Sequence, residues 1–147
     1  MKRIVIAVVV GCVALTGAAL AQDGPIKQRQ ALMKKNGDAT KVVNAMLKGE
    51  KPYDGAAAAA SMKTVAGSLD EFVTLFPDGS TSPDSVAKPE IWQNKKDFNE
   101  WASSLKDAAT KAAAAAPGGM DSFKTAFAEV GKHCKGCHEK YRAEKKK

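Results

Sequence analysis

The chain has 147 residues, with 23 Lys or Arg and 16 Asp or Glu, and a formal net charge of +7 at pH 7. A chain of this length forms one domain around one hydrophobic core rather than several domains. Its basic residues are not interleaved with aromatic residues as they are in nucleic-acid-binding surfaces, so no nucleic-acid partner is predicted.

Residues 1–21 are predicted to be a cleaved signal peptide. Lys2 and Arg3 precede an apolar run over 4–15, and Ala19-Leu20-Ala21 forms a cleavage site of the small-x-small type. The apolar run is too short to span a bilayer comfortably. We therefore expect export to the periplasm without stable membrane insertion once the signal is removed.

Cleavage defines the mature protein as a single domain over 22–147. It removes Cys12, so that Cys134 and Cys137 become the only thiols of the mature chain. Export places them in an oxidising compartment, where a spare thiol would be reactive. The even number of cysteines leaves none over.

The first two helices are predicted over about 25–48 and 55–76, from apolar residues that recur every three or four positions. Asp23 is expected to cap the first helix, with Pro25 in its first turn. Asp54 is expected to cap the second helix.

The third helix is predicted over about 95–116, where Asn94 and Asp97 are spaced as a capping pair. The fourth helix is predicted from about residue 122 to the lysine-rich tail, with Asp121 as its cap. No segment alternates as a strand would, and a Ser/Pro-rich loop over 80–89 is the main irregular connection. The pattern predicts an all-α, antiparallel four-helix bundle with up-down-up-down topology.

The last predicted helix carries the motif C-x-x-C-H at residues 134–138, a pattern typical of covalent haem attachment. Cysteines three positions apart lie on one face of a helix, so the Cys134 and Cys137 thiols can each add to one haem vinyl group. The imidazole of His138 then projects from the same edge towards the iron, as its proximal ligand.

A redox dithiol and a metal site are the alternatives. A thioredoxin-like dithiol begins a helix after a strand, whereas this motif ends a helix in a chain without strands. A zinc site needs four ligands, and the two histidines, His133 and His138, diverge around the helix. His133 is expected on the surface. A disulfide between residues three apart in a helix would be strained.

The whole mature chain resembles the class II c-type cytochromes, the cytochrome c′ family, in its low-spin, methionine-ligated branch. The resemblance rests on "CKGCHEKYR" near the C-terminus, "RQALM" in the first helix, "GEKPYD" after it and "KPEIW" before the third. It implies a bundle with one haem c held by two thioethers. It also implies either a homodimer through the first two helices or, as in some low-spin members, a monomer.

Methionine sulfur is expected to be the second axial ligand of the iron. In an up-down-up-down bundle, the N-terminal part of the first helix lies at the level of His138, and Met33 is the methionine at that height. The others are expected further away: Met46, Met62 and Met120. The resemblance agrees, because methionine four positions after Arg29 is the ligand in low-spin members. In the alternative arrangement, Leu32 covers the iron and Met33 packs beside it.

The predicted function is electron transfer through six-coordinate His/Met haem iron. The alternative is a five-coordinate protein that binds nitric oxide or carbon monoxide. The resemblance places Arg29 near a haem propionate, and Arg142 is expected near the haem edge. Redox proteins are the expected partners, attracted by the basic C-terminal surface. No arrangement of catalytic acid, base or nucleophile is visible, so no enzyme is predicted.

Overall fold

The structure, a computed structural model, describes residues 17–144 and the side chains of 24–144. Within that range it contains five α-helices and one 3₁₀ turn, the latter over Ala116–Gly118. The helices are α1 (Gly17–Leu47), α2 (Gly55–Thr74), α3 (Glu90–Gln93), α4 (Lys95–Ala115) and α5 (Met120–Tyr141). The predicted signal peptide lies mostly outside the described residues and stays a prediction.

The four long helices pack in chain order: α1 against α2, α2 against α4, and α4 against α5. The predicted all-α four-helix bundle is therefore confirmed. Between α1 and α5 there is no comparably extended contact, because a cavity separates these helices. None of the described helices combines the length and apolar character that crossing a membrane requires.

Helix α1 starts earlier than predicted. It begins at Gly17 and contains Pro25 in its interior, so Asp23 does not cap it. A proline removes only one backbone hydrogen bond, and the alanines that precede it have the highest helix propensity of all residues. The uncleaved chain can therefore extend the helix through the predicted cleavage site.

One of the other predicted caps is confirmed and two are wrong. Asp54 accepts a hydrogen bond from Ala57 N at 3.0 Å and caps α2. Asn94 stands at the start of α4 without a side-chain capping bond. Asp97, its expected partner, binds residues of α5 instead. Helix α5 is preceded by Gly119, with φ of +97°, so Asp121 lies inside its first turn.

Two hydrophobic clusters fill the bundle. The larger occupies the end away from the motif and is rich in alanine on α2 and α4, which lets these helices approach closely. The smaller cluster is aromatic and surrounds the end of α5. Its buried members are Phe76, Ile91, Phe98 and Tyr141. The aromatic cluster borders the cavity, so the two ends of the bundle are packed differently.

We predict that two glycines of α2 respond oppositely to substitution by alanine. A Cβ at Gly55 would lie 2.8 Å from the backbone oxygen of Ala116, whereas a Cβ at Gly67 meets nothing within 4 Å. Gly55→Ala should lower the free energy of unfolding by about 1–3 kcal/mol through overpacking. Gly67→Ala should raise it by about 0.5–1 kcal/mol, because alanine favours a helix. Urea denaturation of both variants measures the two changes, and equal signs would contradict this packing.

Candidate functional site

A cavity of about 670 Å³ lies in the bundle between α1, α2, α4, α5 and the segment 84–87; we call it the bundle cavity. All six residues predicted as site residues line it. They are Arg29, Met33, Cys134, Cys137, His138 and Arg142. Residues separated by more than 100 positions in the sequence thus border one space.

The two cysteines lie on the last turns of α5 as partly buried free thiols. Burial raises the pKa of the Cys134 thiol. The pKa of Cys137 rises to about 11, first through burial and then through repulsion by the charge that a Cys134 thiolate would carry and by the carboxylate of Asp97. Both thiols are therefore held protonated next to the cavity.

His138 lines the cavity and remains open to its interior. Partial burial lowers the pKa of the His138 imidazole, and the positive charge of Arg142 lowers it further. A lowered pKa favours the neutral imidazole, the form that binds a metal ion. The surroundings of His138 therefore favour the protonation state in which its imidazole can bind a metal ion.

Met33 differs in its position from the other methionines among the described residues. It is half-buried and lines the bundle cavity, which the others do not. Met46 accepts a hydrogen bond from Asp54 N at 3.5 Å, Met62 is fully buried in the alanine-rich core, and Met120 is 43% exposed. Leu32, the alternative residue to cover an iron, does not line the cavity.

Arg29 is only 4% exposed. It acts as a clamp on the segment over residues 80–88, which we call the 80–88 loop. One terminal nitrogen donates to Leu75 O at 3.1 Å and to Ser80 Oγ at 3.2 Å. The other donates to Ser80 O and to Ser85 Oγ, each at 2.8 Å. The guanidinium also stands over the ring of Phe76, 4.6 Å from its centroid.

No carboxylate pairs with Arg29 among the described residues. Burial lowers the pKa of its guanidinium, but no neighbouring acid compensates the charge. A buried cation is normally paired, because desolvating an isolated charge is costly. The cavity therefore contains a positive charge to which an anionic group of a ligand would be attracted.

The 80–88 loop is also attached to the end of α5. Lys88 N donates to Tyr141 O at 3.0 Å, and Ala143 N donates to Val86 O at 2.8 Å. Ala87 and Arg142 form an isolated antiparallel bridge. The loop therefore closes one side of the cavity, with Arg29 on one flank and α5 on the other.

A largely aromatic wall borders the cavity. Leu69, Phe72, Phe76 and Phe98 line the cavity, while Val73 and Trp92 pack behind them. Trp101 also lines the cavity. A Cβ at Gly136, between the two cysteines, would lie 2.5 Å from Trp101 Cη2, so this glycine gives the indole its space.

Tyr141 forms part of the same wall and is anchored on its polar side. Its hydroxyl donates to Asp97 Oδ2, which also accepts from Lys140 Nζ at 2.8 Å. The Lys140 hydrogen bond, and then the Tyr141 hydrogen bond, lower the pKa of Asp97. These contacts fix the ring of Tyr141 edge-on against Phe98. They also explain why Asp97 does not cap α4.

His133 was expected on the surface, and that prediction is wrong. The side chain is partly buried, and its ring lies edge-on to Trp101 with centroids 6.0 Å apart. Among the described residues, Nδ1 is enclosed without a hydrogen-bond partner. No group of three or more His, Cys, Asp or Glu in the described chain could hold a metal ion by itself. The zinc alternative therefore lacks ligands there.

The bundle cavity fits haem c in its chemistry. Two protonated thiols, a cavity-facing imidazole and a half-buried thioether border one space. Aromatic side chains supply flat apolar surface, and Arg29 supplies a buried positive charge. The donor set contains the nitrogen and sulfur ligands that haem iron uses in cytochromes.

Comparison with known proteins gives a consistent result. The family model described as cytochrome C′ matches residues 24–142. A cytochrome c′ from Rhodopseudomonas palustris is 39% identical over 145 residues, covering 95% of this chain and 97% of that protein. A cytochrome c-556 from Agrobacterium fabrum is 34% identical, covering 99% of this chain and 97% of that protein. The structure of cytochrome c prime from Shewanella frigidimarina has a TM-score of 0.78 at 35% identity, covering 84% of this chain and 97% of that chain.

We predict that Arg29→Leu frees the 80–88 loop. The change removes four hydrogen bonds and leaves the buried oxygens of Ser80 and Leu75 without a donor. We expect a loss of about 3 kcal/mol in the free energy of unfolding, measured by urea denaturation, and faster proteolysis within the loop. The matched control is Lys41→Met on the same helix, where an exposed ion pair contributes less than about 0.5 kcal/mol. Equal losses in the two variants would contradict the clamp.

Proposed function

The chain belongs to the cytochrome c′ family, and from that premise we propose that it is a periplasmic electron carrier whose haem iron has His138 and Met33 as axial ligands. Members of this family carry one covalently attached haem c, and they are electron-transfer or ligand-binding proteins rather than enzymes. The cofactor prediction is therefore confirmed. The coordination of the iron is the part that we propose.

The covalent anchor is assigned to Cys134 and Cys137. Both thiols border the bundle cavity one helical turn apart on α5, so each can form a thioether with one vinyl group. His138 follows Cys137 directly, and its imidazole faces the same space as the two thiols. An anchor of this kind would hold the cofactor against α5, the helix that also carries His138.

The observation that carries the proposal is the position of Met33. Among the described residues, it is the one methionine that lines the cavity bordered by His138. Leu32, the rival for this place, does not line the cavity. Met33 lies on α1 and His138 on α5, so the two ligands approach from different helices.

Fixed ligands suit an electron carrier. When bound, haem c supplies an iron that alternates between the ferric and ferrous states. Imidazole and thioether remain the ligands in both states, and the soft sulfur favours the ferrous one. Phe72, Phe76 and Phe98 exclude water and so favour the less charged state as well.

Arg29 and Arg142 are assigned to the polar edge of the cofactor. The uncompensated charge of Arg29 supports contact with a propionate group, as the resemblance implies. Arg142 lines the cavity mouth at the end of α5 and can serve the same edge. Both assignments concern binding and orientation, not electron transfer itself.

Export is part of the proposal. The family model begins at residue 24, close behind the predicted cleavage after Ala21, which supports a mature domain over 22–147. Redox proteins are the proposed partners, in brief contacts near the cofactor edge. Homodimerisation through the first two helices stays a prediction, which sedimentation of the mature protein would test.

The rival function is binding of nitric oxide or carbon monoxide to five-coordinate iron. Family names do not decide between the two, since the relatives above include both cytochrome c′ and cytochrome c-556. In the rival arrangement Met33 would pack beside the iron without binding it. The ferric absorption spectrum separates the two functions, because only sulfur ligation gives low-spin iron with a sulfur-to-iron charge-transfer band.

We predict that Met33→Ala converts the ferric iron from low spin to high spin and opens the ferrous iron to carbon monoxide. The physical reason is the loss of the one methionine sulfur that borders the cavity among the described residues. Absorption spectra and carbon monoxide titration of the purified holoprotein measure both effects.

Leu32→Ala is the matched control on the neighbouring residue. Because Leu32 does not line the cavity, this variant should keep the low-spin spectrum and stay closed to carbon monoxide. An unchanged spectrum in Met33→Ala, or carbon monoxide binding in Leu32→Ala alone, would sink the assignment of the ligand.

A further inference from the structure

Asn36 is a buried polar residue on the side of the bundle cavity that α1 borders. It is 9% exposed and lines the cavity together with Met33, three positions earlier on the same face of α1. Long side chains on a helix lean towards its N-terminus, so the Asn36 side chain covers the turn that carries Met33. The apolar side chains of Val65 and Leu69 on α2 line the same cavity.

Ser68 fixes the orientation of the Asn36 amide. Its hydroxyl donates a three-centre hydrogen bond that is shared between Asn36 Oδ1 at 2.9 Å and Val65 O at 2.8 Å, and the residue is 4% exposed. The amide oxygen therefore faces α2, and the amide nitrogen Nδ2 is left for the cavity. Among the described residues, no group accepts a hydrogen bond from Nδ2.

The other polar side chains of α1 that line the cavity already donate to oxygens of the protein. They are Arg29, Gln30, Lys34 and Thr40. Thr40, for example, donates to Gly37 O at 2.9 Å. Nδ2 of Asn36 donates to no described residue and belongs to a side chain that lines the cavity, so it is available to an acceptor inside the cavity.

We propose that, once Met33 binds the iron, Asn36 is a positioning residue for this ligand, with its amide Nδ2 donating a hydrogen bond to the thioether sulfur. This inference rests on the proposed function, in which Met33 binds the iron. A thioether sulfur keeps a second lone pair after it binds a metal and is a weak acceptor. The hydrogen bond withdraws electron density from the sulfur, which favours the ferrous over the ferric state and raises the reduction potential.

The test is Asn36→Leu, with the reduction potential and the energy of the sulfur-to-iron charge-transfer band as readouts. Losing one hydrogen bond should lower the reduction potential. The electron-exchange equilibrium with a reference couple should then shift by roughly two- to tenfold towards the ferric protein. If the substitution only made the cavity more apolar, the reduction potential would rise instead, because apolar surroundings disfavour the more charged ferric state. The direction of the shift therefore separates a lost hydrogen bond from a change in polarity.

Thr40→Val is the matched control. It also removes a polar group from the cavity wall, but one that bonds within α1, so the potential should rise or stay constant and the band should not move. Ser68→Ala removes the anchor while keeping Asn36, and should shift the potential in the same direction as Asn36→Leu, by less. If Asn36→Leu does not give folded holoprotein, Ser68→Ala provides the decisive reading.

The outcomes of these measurements show whether this inference fails alone or whether the proposed function fails with it. If the wild-type protein lacks the charge-transfer band, Met33 is not a ligand, and both the proposed function and this inference fall. If the band is present but Asn36→Leu leaves potential and band unchanged, or raises the potential as Thr40→Val does, only this inference is overturned. A lower potential together with a moved band supports it.

Discussion

An imidazole and a thioether face one cavity from helices at the two ends of the chain, and the rest of the molecule is arranged around that constraint. Helix α5 supplies His138 and both thiols, while α1 supplies Met33. The bundle keeps α1 and α5 apart at this level, whereas α2 and α4 are drawn together by alanines elsewhere. The 80–88 loop closes the side of the cavity, because Arg29 and the end of α5 both bond to it.

Among the polar side chains that line this cavity, Arg29 and Asn36 are buried, and their burial gives them functional weight. Arg29 bears a charge that no described acid compensates, and no described group accepts a hydrogen bond from the amide nitrogen of Asn36. In a low-dielectric site such groups are costly unless a ligand completes them. The same groups that weaken the protein without its cofactor therefore favour the bound state and bias the potential of the iron.

The sequence predicted the helices better than their caps and their tertiary contacts. The helical spacing and the Asp54 cap depend on neighbours within a few positions, and both agree with the structure. Asp97 failed as a capping partner because Lys140 and Tyr141, which are distant in sequence, bind it. The fit between Gly136 and Trp101, and the closure by the 80–88 loop, could not be predicted because neither leaves a periodic pattern. Met33 was identified by its height along the bundle, a property that helix geometry supplies without side-chain detail.

The central claim is that Met33 sulfur binds the iron opposite His138 in both oxidation states. Iron K-edge X-ray absorption of the ferric and the ferrous protein measures this most directly. The account predicts one sulfur neighbour in the first coordination shell of the iron in both states. A shell that contains only nitrogen or oxygen neighbours in both states would contradict it.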